Sequence, residues 1–312
     1  MKLIIPSVEL CHPGYSLDDI KRHIVKCAQV CYKIDKDVDD PNEWIKTRLL
    51  DKPIGEPRHT SPLAHGTVYL TVNAIDERSS LYKNDWESNY IKDVIYFYEH
   101  NPYSRVIKRC KDQVHITYYI TTNYRVLYEK NRMNDLRFLT KPLKNHIKRY
   151  TFKVNCDIGV SREANRHTTL SVSEQSTRYC NYTNERFDGG VQIEVPTDFL
   201  KEDTLLYNRS FKNSVEDILY SRDEQWDAFQ YWWFANQAAE YAYNNLIRLG
   251  WKPQQARRIL PLDTHTEVYY TAFETDWKHF LNLRDHKNAH PDMRLIARMI
   301  KEQLEKEQNK YK

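Results

Sequence analysis

Apolar and polar positions along this chain follow two different rhythms, and the rhythm switches repeatedly. "SLDDIKRHIVKCAQVCYK" (16–33) places Ile20, Ile24, Cys27 and Cys31 on one stripe between charges, a 3.6-residue period that predicts an amphipathic helix. Ser16, with Asp19 three residues on, supplies the capping pair that starts it. His23, Cys27 and Cys31 share a face, but with no second ligand pair the spacing suits core packing rather than a metal, and none is expected. "GTVYLTVNA" (66–74) and "RYTFKVNCDIGV" (149–160) alternate with period two and predict strands. "HITYYITTNYRVLYE" (115–129) predicts a strand running into a helix, and "IKDVIYFYEHNPYSRVIKRC" (91–110) a helical stretch with a turn at Asn101-Pro102. Ser161 is expected to cap a short helix over 162–167. A long helix is expected from Asp223 to Leu249, with Trp226, Phe229, Trp233 and Tyr241 inward and Gly250 as a left-handed cap. Pro253 suits the first position of the next helix. Met293, Ile296, Ile300 and Leu304 mark an amphipathic C-terminal helix, and "MKLIIPSVEL" reads as a first strand.

Composition narrows the class. With 312 residues, 40% hydrophobic and 29% charged, the chain is long enough for a substantial core. No apolar run approaches the roughly 18 residues of a membrane helix, and the N-terminus lacks a secretory apolar stretch, so a cytoplasmic protein with no membrane partner is expected. Six cysteines scattered without paired spacing suit reduced thiols. The 47 basic residues are interleaved with 43 acidic ones, net +4. That balance leaves no basic stripe, so nucleic acid is not expected, although a Tyr-rich binder of single strands is the rival from another class. Only seven glycines occur, and none forms GxGxxG or GxxxxGK, so any nucleotide must be held by side chains. No repeat, linker or composition shift divides the chain, and one domain over 1–312 is expected.

Three polar clusters stand out: "RHTSPLAH" (58–65), "RHTTLSVSEQSTRYCNY" (166–182), and "ARRILPLDTHTE" (256–267) together with "HFLNLRDHKNAH" (279–290). The second concentrates directional groups around two aliphatic residues, Leu170 and Val172, next to strand-like sequence. Buried polar groups need partners. A ligand can supply those that the chain does not, and Arg166, Ser176 and Arg178 are types that hold an anion.

In order and wording these clusters resemble the flavin-dependent thymidylate synthases. The family signature, Arg-His-Arg, seven intervening residues and then Ser, stands here as Arg166, His167, Thr168 and then Ser176. "HTSPLAH" is similar to its HxSPxEH element, and "PQQARRILPL" and "DWKHFLNLRDHKNAHPDMR" resemble its C-terminal motifs. The resemblance implies an α/β (α+β) fold with a central mixed or antiparallel sheet flanked by long helices, assembled as a homotetramer with active sites at subunit interfaces. It implies FAD as cofactor, NADPH and methylenetetrahydrofolate as co-substrates, and reductive methylation of dUMP. The positions that match dUMP contacts are Glu163, Glu174, Ser176, Arg178, Arg257 and Arg284, with Arg284 against the uracil ring as the catalytic candidate. Those that match FAD contacts are Arg166, His167, Thr168, His279 and Asn288, and His65 matches a histidine near folate and flavin. The chain departs from the family at Thr168, Ala64, Phe273 and Thr275, three of them expected to touch flavin. Two variant readings keep the resemblance: hydroxymethylation of dUMP, and nucleotide binding with an impaired FAD site. Segment 75–148 resembles an insertion of a long-chain branch.

Overall fold

A computed structural model describes residues 1–53, 55–200 and 226–309. It has the α+β organisation expected from the sequence. Strands β2 (Ser7–Cys11), β6 (Arg149–Asp157), β9 (His265–Phe273) and β7 (Ser171–Glu174) form an antiparallel sheet in the order β2-β6-β9-β7. A second antiparallel sheet, β3-β5-β4, joins β3 (Thr67–Ile75), β5 (His115–Asn123) and β4 (Arg105–Cys110). β1 (Lys2–Ile4) pairs in parallel with β8 (Gln192–Glu194). The first helices are α1 (Leu17–Gln29), α2 (Pro41–Ile45), α3 (Trp86–Glu99), α4 (Tyr124–Glu129), α5 (Ile158–Ala164) and α6 (Thr197–Leu200). They are followed by α7 (Ala228–Arg248), α8 (Pro253–Ala256), α9 (Glu274–Arg284) and α10 (Pro291–Asn309).

Most elements follow the sequence rhythm. Ser16 and Asp19 form the reciprocal capping box of α1, and α10 buries Met293, Ile296, Ile300 and Leu304. Gly250 takes φ +92° behind α7, where a side chain would be strained, and Pro253 opens α8. Four expectations need correction. Pro6 splits the N-terminal strand into β1 and β2. The stretch 91–110 is helical only to Glu99; "RVIKRC" then forms β4, because β5 offers it a full antiparallel ladder from Arg105 opposite Thr121 to Cys110 opposite Ile116. α5 begins at Ile158, and its cap is Asp157, whose carboxylate accepts the Val160 N–H at 2.7 Å, while Ser161 lies inside the helix. In α7, Tyr241 is 56% exposed, Tyr243 is buried in its place and Trp226 precedes the helix. The expected helical residues 223–225 lie outside the described residues.

Two main cores correspond to the two sheets. Phe152, Val154, Val268 and Trp277 pack with α10 on the four-stranded sheet. Ile20 and Ile24 of α1 pack with Val68, Leu70 and Ile120 of the three-stranded sheet and with Tyr98 of α3. The 3-10 turn Ser61–His65 joins them. Gly66 follows it closely against α1, where a Cβ would stand 2.6 Å from Ile24 Cδ1.

At that junction runs a buried chain of hydrogen bonds. His23 Nε2 meets Thr151 Oγ1 at 3.1 Å, and Thr151 meets Thr271 at 2.7 Å. His65 then bridges Thr271 (2.7 Å) and Ser173 (3.0 Å) through its two ring nitrogens. Burial pushes the pKa of His23 down to about 4 and that of His65 well below the usual value, with neighbouring cations adding to the effect. Both rings are therefore neutral, each with one donor and one acceptor.

Removing His65 as His65→Ala leaves two buried hydroxyls without this partner and opens a cavity. It is expected to cost about 3 kcal/mol in denaturant unfolding. The neutral state of His23 also gives a pH signature. Its folded pKa lies below its unfolded one, so its contribution is complete above about pH 6.5 and declines as pH falls toward 4. The stability advantage of wild type over His23→Gln should shrink by about 2 kcal/mol between pH 7 and pH 5, which denaturant titrations at the two pH values will read.

Candidate active site

The site is built where β6 and β9 end. β6 passes directly into α5, and β9 passes into α9 at Phe273. Because the two strands pair from Arg149 opposite Phe273 to Asp157 opposite His265, their helices leave from opposite ends of one ladder. After α5, hydrogen bonds from His167 N to Ala164 O and from Leu170 N to His167 O (both 3.0 Å) turn the chain back into β7.

Arg284, the last residue of α9, closes onto this turn. Its Nη1 donates to Glu163 Oε2 at 3.0 Å, its Nη2 to the Glu163 carbonyl at 2.7 Å and its Nε to His167 Nε2 at 2.9 Å. A nitrogen that accepts from arginine must carry its lone pair, so His167 is neutral and protonated on Nδ1. Burial first, and then the Arg284 charge, lowers its pKa accordingly. The ring also stands edge-on to Phe280 at 4.8 Å and 6.1 Å from the exposed His279. The guanidinium is thus fixed in place by three bonds, and Glu163 neutralises part of its charge.

Glu174 ends β7. Its Oε1 accepts from Ser161 Oγ (2.7 Å) and Thr266 Oγ1 (3.2 Å), and its Oε2 from Asn165 Nδ2 (3.4 Å). Asn165 follows α5 directly, so it ties this carboxylate to the Glu163–Arg284 group. Among the described residues no cation pairs with Glu174, which leaves an oriented acceptor. The chain then forms a tight loop in which the Ser176 carbonyl accepts from Tyr179 N (3.2 Å) and Cys180 N (2.9 Å). Arg257 reaches this loop from the turn after α8 and donates to Thr177 Oγ1 at 3.2 Å. Arg178 lies 5.2 Å over the Tyr179 ring, which stacks on Tyr32. Both arginines are exposed, and neither pairs with a carboxylate among the described residues. Ser176, Arg178 and Arg257 therefore share one anion-ready loop. Cys180, in the same loop, is buried, which pushes its thiol up to about 11 and leaves no thiolate nucleophile there at neutral pH.

The remaining candidates separate. Arg166 and Thr168 are exposed on the turn after α5, Asn288 is exposed in the turn after α9, and His65 is fully buried in the seam between the sheets. Thr168 instead lines a cleft of about 740 Å³ with Ala64, Ser171 and Phe273. The opposite wall comes from segment 75–148 and includes Tyr103, Arg105, Arg125 and Lys130. Arg105 and Arg149 both lie over the Phe273 ring, at 4.6 and 5.3 Å. Sequence reasoning missed both. The one available signal for Arg149 was an arginine at the head of an otherwise alternating strand, whereas Arg105 fell in a stretch expected to be helical.

Residues 144–308 match the family described as Thymidylate synthase complementing protein. The flavin-dependent thymidylate synthase of Aquifex aeolicus is 22% identical over 330 residues, covering 91% of this chain and 93% of that one. That of Thermus thermophilus is 32% identical over 153 residues, covering 49% and 51%. Among solved structures, a UMP/dUMP methylase PolB from Streptomyces cacaoi aligns over 98% of this chain and 93% of its own, at 18% identity and a TM-score of 0.42. The family match spans more than half of the sequence and takes in β6, α5, the 166–182 cluster and both C-terminal motifs, so this chain belongs to the Thymidylate synthase complementing protein family.

Proposed function

We propose that this protein is a single-domain, flavin-dependent enzyme that methylates dUMP to dTMP, with methylenetetrahydrofolate as carbon donor and NADPH as reductant. The observation that carries the reading is the closure of Arg284, from the C-terminal motif, onto Glu163 and His167 of the central one. Two polar segments separated by more than 100 residues become one fixed site, and family membership and the flavin-dependent relatives point to the same chemistry.

Each group has a task that its position supports. The Ser176 hydroxyl and the unpaired guanidiniums of Arg178 and Arg257 suit the dUMP phosphate, which carries about two negative charges. Glu174, held by neutral donors, accepts from ribose hydroxyl or base N–H groups. Arg284 presents a preorganised cation to the uracil ring, where negative charge builds as C5 attacks the carbon donor. Glu163 and the neutral His167 hold that cation in position. With the Cys180 thiol buried and protonated, methylation proceeds without a thiolate adduct at this loop.

The cleft beside Thr168 fits a flavin dinucleotide. It is large, has an aromatic floor at Phe273, and one wall contains buried Arg149, whose Nε has no hydrogen-bond partner among the described residues. Arg166, Thr168 and Phe273 are the residues that would hold the cofactor, with His167 at the adjoining turn and His279 facing it from α9. When bound and reduced, flavin supplies the hydride that completes the methyl group.

Purified protein loaded with FAD is expected to keep the flavin absorbance after desalting, to bleach with NADPH, and to convert dUMP and methylenetetrahydrofolate into dTMP. Mass analysis of the nucleotide tests the reading: a product heavier by a hydroxymethyl group would replace it with hydroxymethylation, and absence of flavin binding would remove it. Arg284→Ala should lower turnover at saturating dUMP by roughly a hundredfold or more. Arg298→Ala, which removes a surface pair with Asp285 at 3.1 Å, should leave turnover near wild type. Steady-state rates measured beside melting temperatures separate lost chemistry from lost folding.

A further inference from the structure

Arg149 is in an unusual electrostatic position. It is only 9% exposed, and among the described residues its Nε has no hydrogen-bond partner. Its other contacts are all neutral: Thr67 Oγ1 at 3.2 Å, the Ala64 carbonyl at 3.1 Å and Ser171 Oγ at 3.4 Å. Among the described residues no carboxylate forms an ion pair with it. Burial lowers its pKa to about 10, Tyr69 and Asp276 offset part of that without pairing with it, and the neighbouring Arg105 adds to the lowering. A buried cation without an ion-paired carboxylate is costly. A second cation beside it raises that cost unless something anionic is bound.

Arg105 is that second cation. It leaves β4 in segment 75–148, crosses to the Phe273 ring that Arg149 also covers, and finds one carboxylate, Asp276, at 3.9 Å. Arg125 and Lys130 line the same cleft, where Glu129 is taken by Arg125 at 2.8 Å. The lining therefore holds four cations against two carboxylates. Thr168, which stands where the family signature has its second arginine, lines the same cleft.

We propose that Arg105 and Arg149 form the phosphate-binding element of this cleft, and that Arg105 supplies from segment 75–148 the charge that the signature lacks at Thr168. The ligand class is the diphosphate of a flavin dinucleotide, and this assignment rests on the flavin reading given above. The segment is thereby a working wall of the cofactor site, and Phe273 is the platform that holds both guanidiniums in place through their faces.

Titration of FAD, and of riboflavin as the same ring without phosphate, into wild type, Arg105→Gln, Arg109→Gln and the double variant Arg105→Gln/Thr168→Arg tests the proposal by flavin fluorescence. Arg105→Gln is expected to weaken FAD at least tenfold while riboflavin affinity and melting temperature stay unchanged. Arg109→Gln removes the same charge from an exposed position of β4 and should match wild type, and Thr168→Arg in the double variant should recover most of the loss. Equal FAD affinity in wild type and Arg105→Gln would overturn the proposal and leave the flavin reading standing. A parallel loss of riboflavin would overturn it too, since the pocket rather than the phosphate contact would have failed. If wild type binds neither flavin, the flavin reading itself falls.

Discussion

The structure depends on a buried seam in which two neutral histidines and three hydroxyls satisfy one another. Each of these groups would be costly to bury alone. Linked as His23, Thr151, Thr271, His65 and Ser173, they fix α1, the 3-10 turn and strands β6, β9 and β7 in one arrangement. A one-residue slip of β6 against β9 would point Thr151 and Thr271 at the opposite faces and break the chain. The same register sets where α5 and α9 begin. The meeting of Arg284 with Glu163, at the far ends of those helices, is thus a consequence of hydrogen bonds made at the centre of the sheet.

The cations of the site fall into two kinds. Arg284 is internally compensated and held by three bonds, which suits a group whose position must not change as charge develops nearby. Arg105, Arg149, Arg178 and Arg257 are under-compensated, which suits groups that wait for an anion. The mild net charge of the whole chain conceals this division, because surface acids balance the count while one cleft and one exposed loop carry the excess.

Much of this was legible from local pattern. The capping pair at Ser16 and Asp19, the stripe on α10, the Gly250 cap and the polar 166–182 cluster all rest on short-range rules, and the structure follows them. What was not legible depends on contacts distant in sequence. "RVIKRC" has no strong preference of its own and becomes a strand because β5 offers it a ladder. Asp157 displaces Ser161 as the cap because β6 ends three residues earlier than its apolar rhythm suggests, and Ser161 is then drawn to Glu174. Tyr241 and Tyr243 are equivalent in composition, and what decides which is buried is the distant contact of Tyr243 with Tyr182. Arg149 stands at the head of an alternating strand with no local sign of burial, yet it is nearly enclosed, with the turn at Ala64 and segment 75–148 beside it.

The hydrogen bond from Arg149 to the Ala64 carbonyl joins two points 85 residues apart in the chain. Everything between them leaves and returns through one narrow neck, so the entropic cost of closing that excursion depends only weakly on its length. Such a geometry lets a lineage lengthen or shorten the excursion without disturbing the strands on either side. The freedom is not complete. Ile20 and Ile24 of α1 lie against the excursion's sheet, and a shortened descendant would have to repaint that helix face with polar residues or cover it with another subunit.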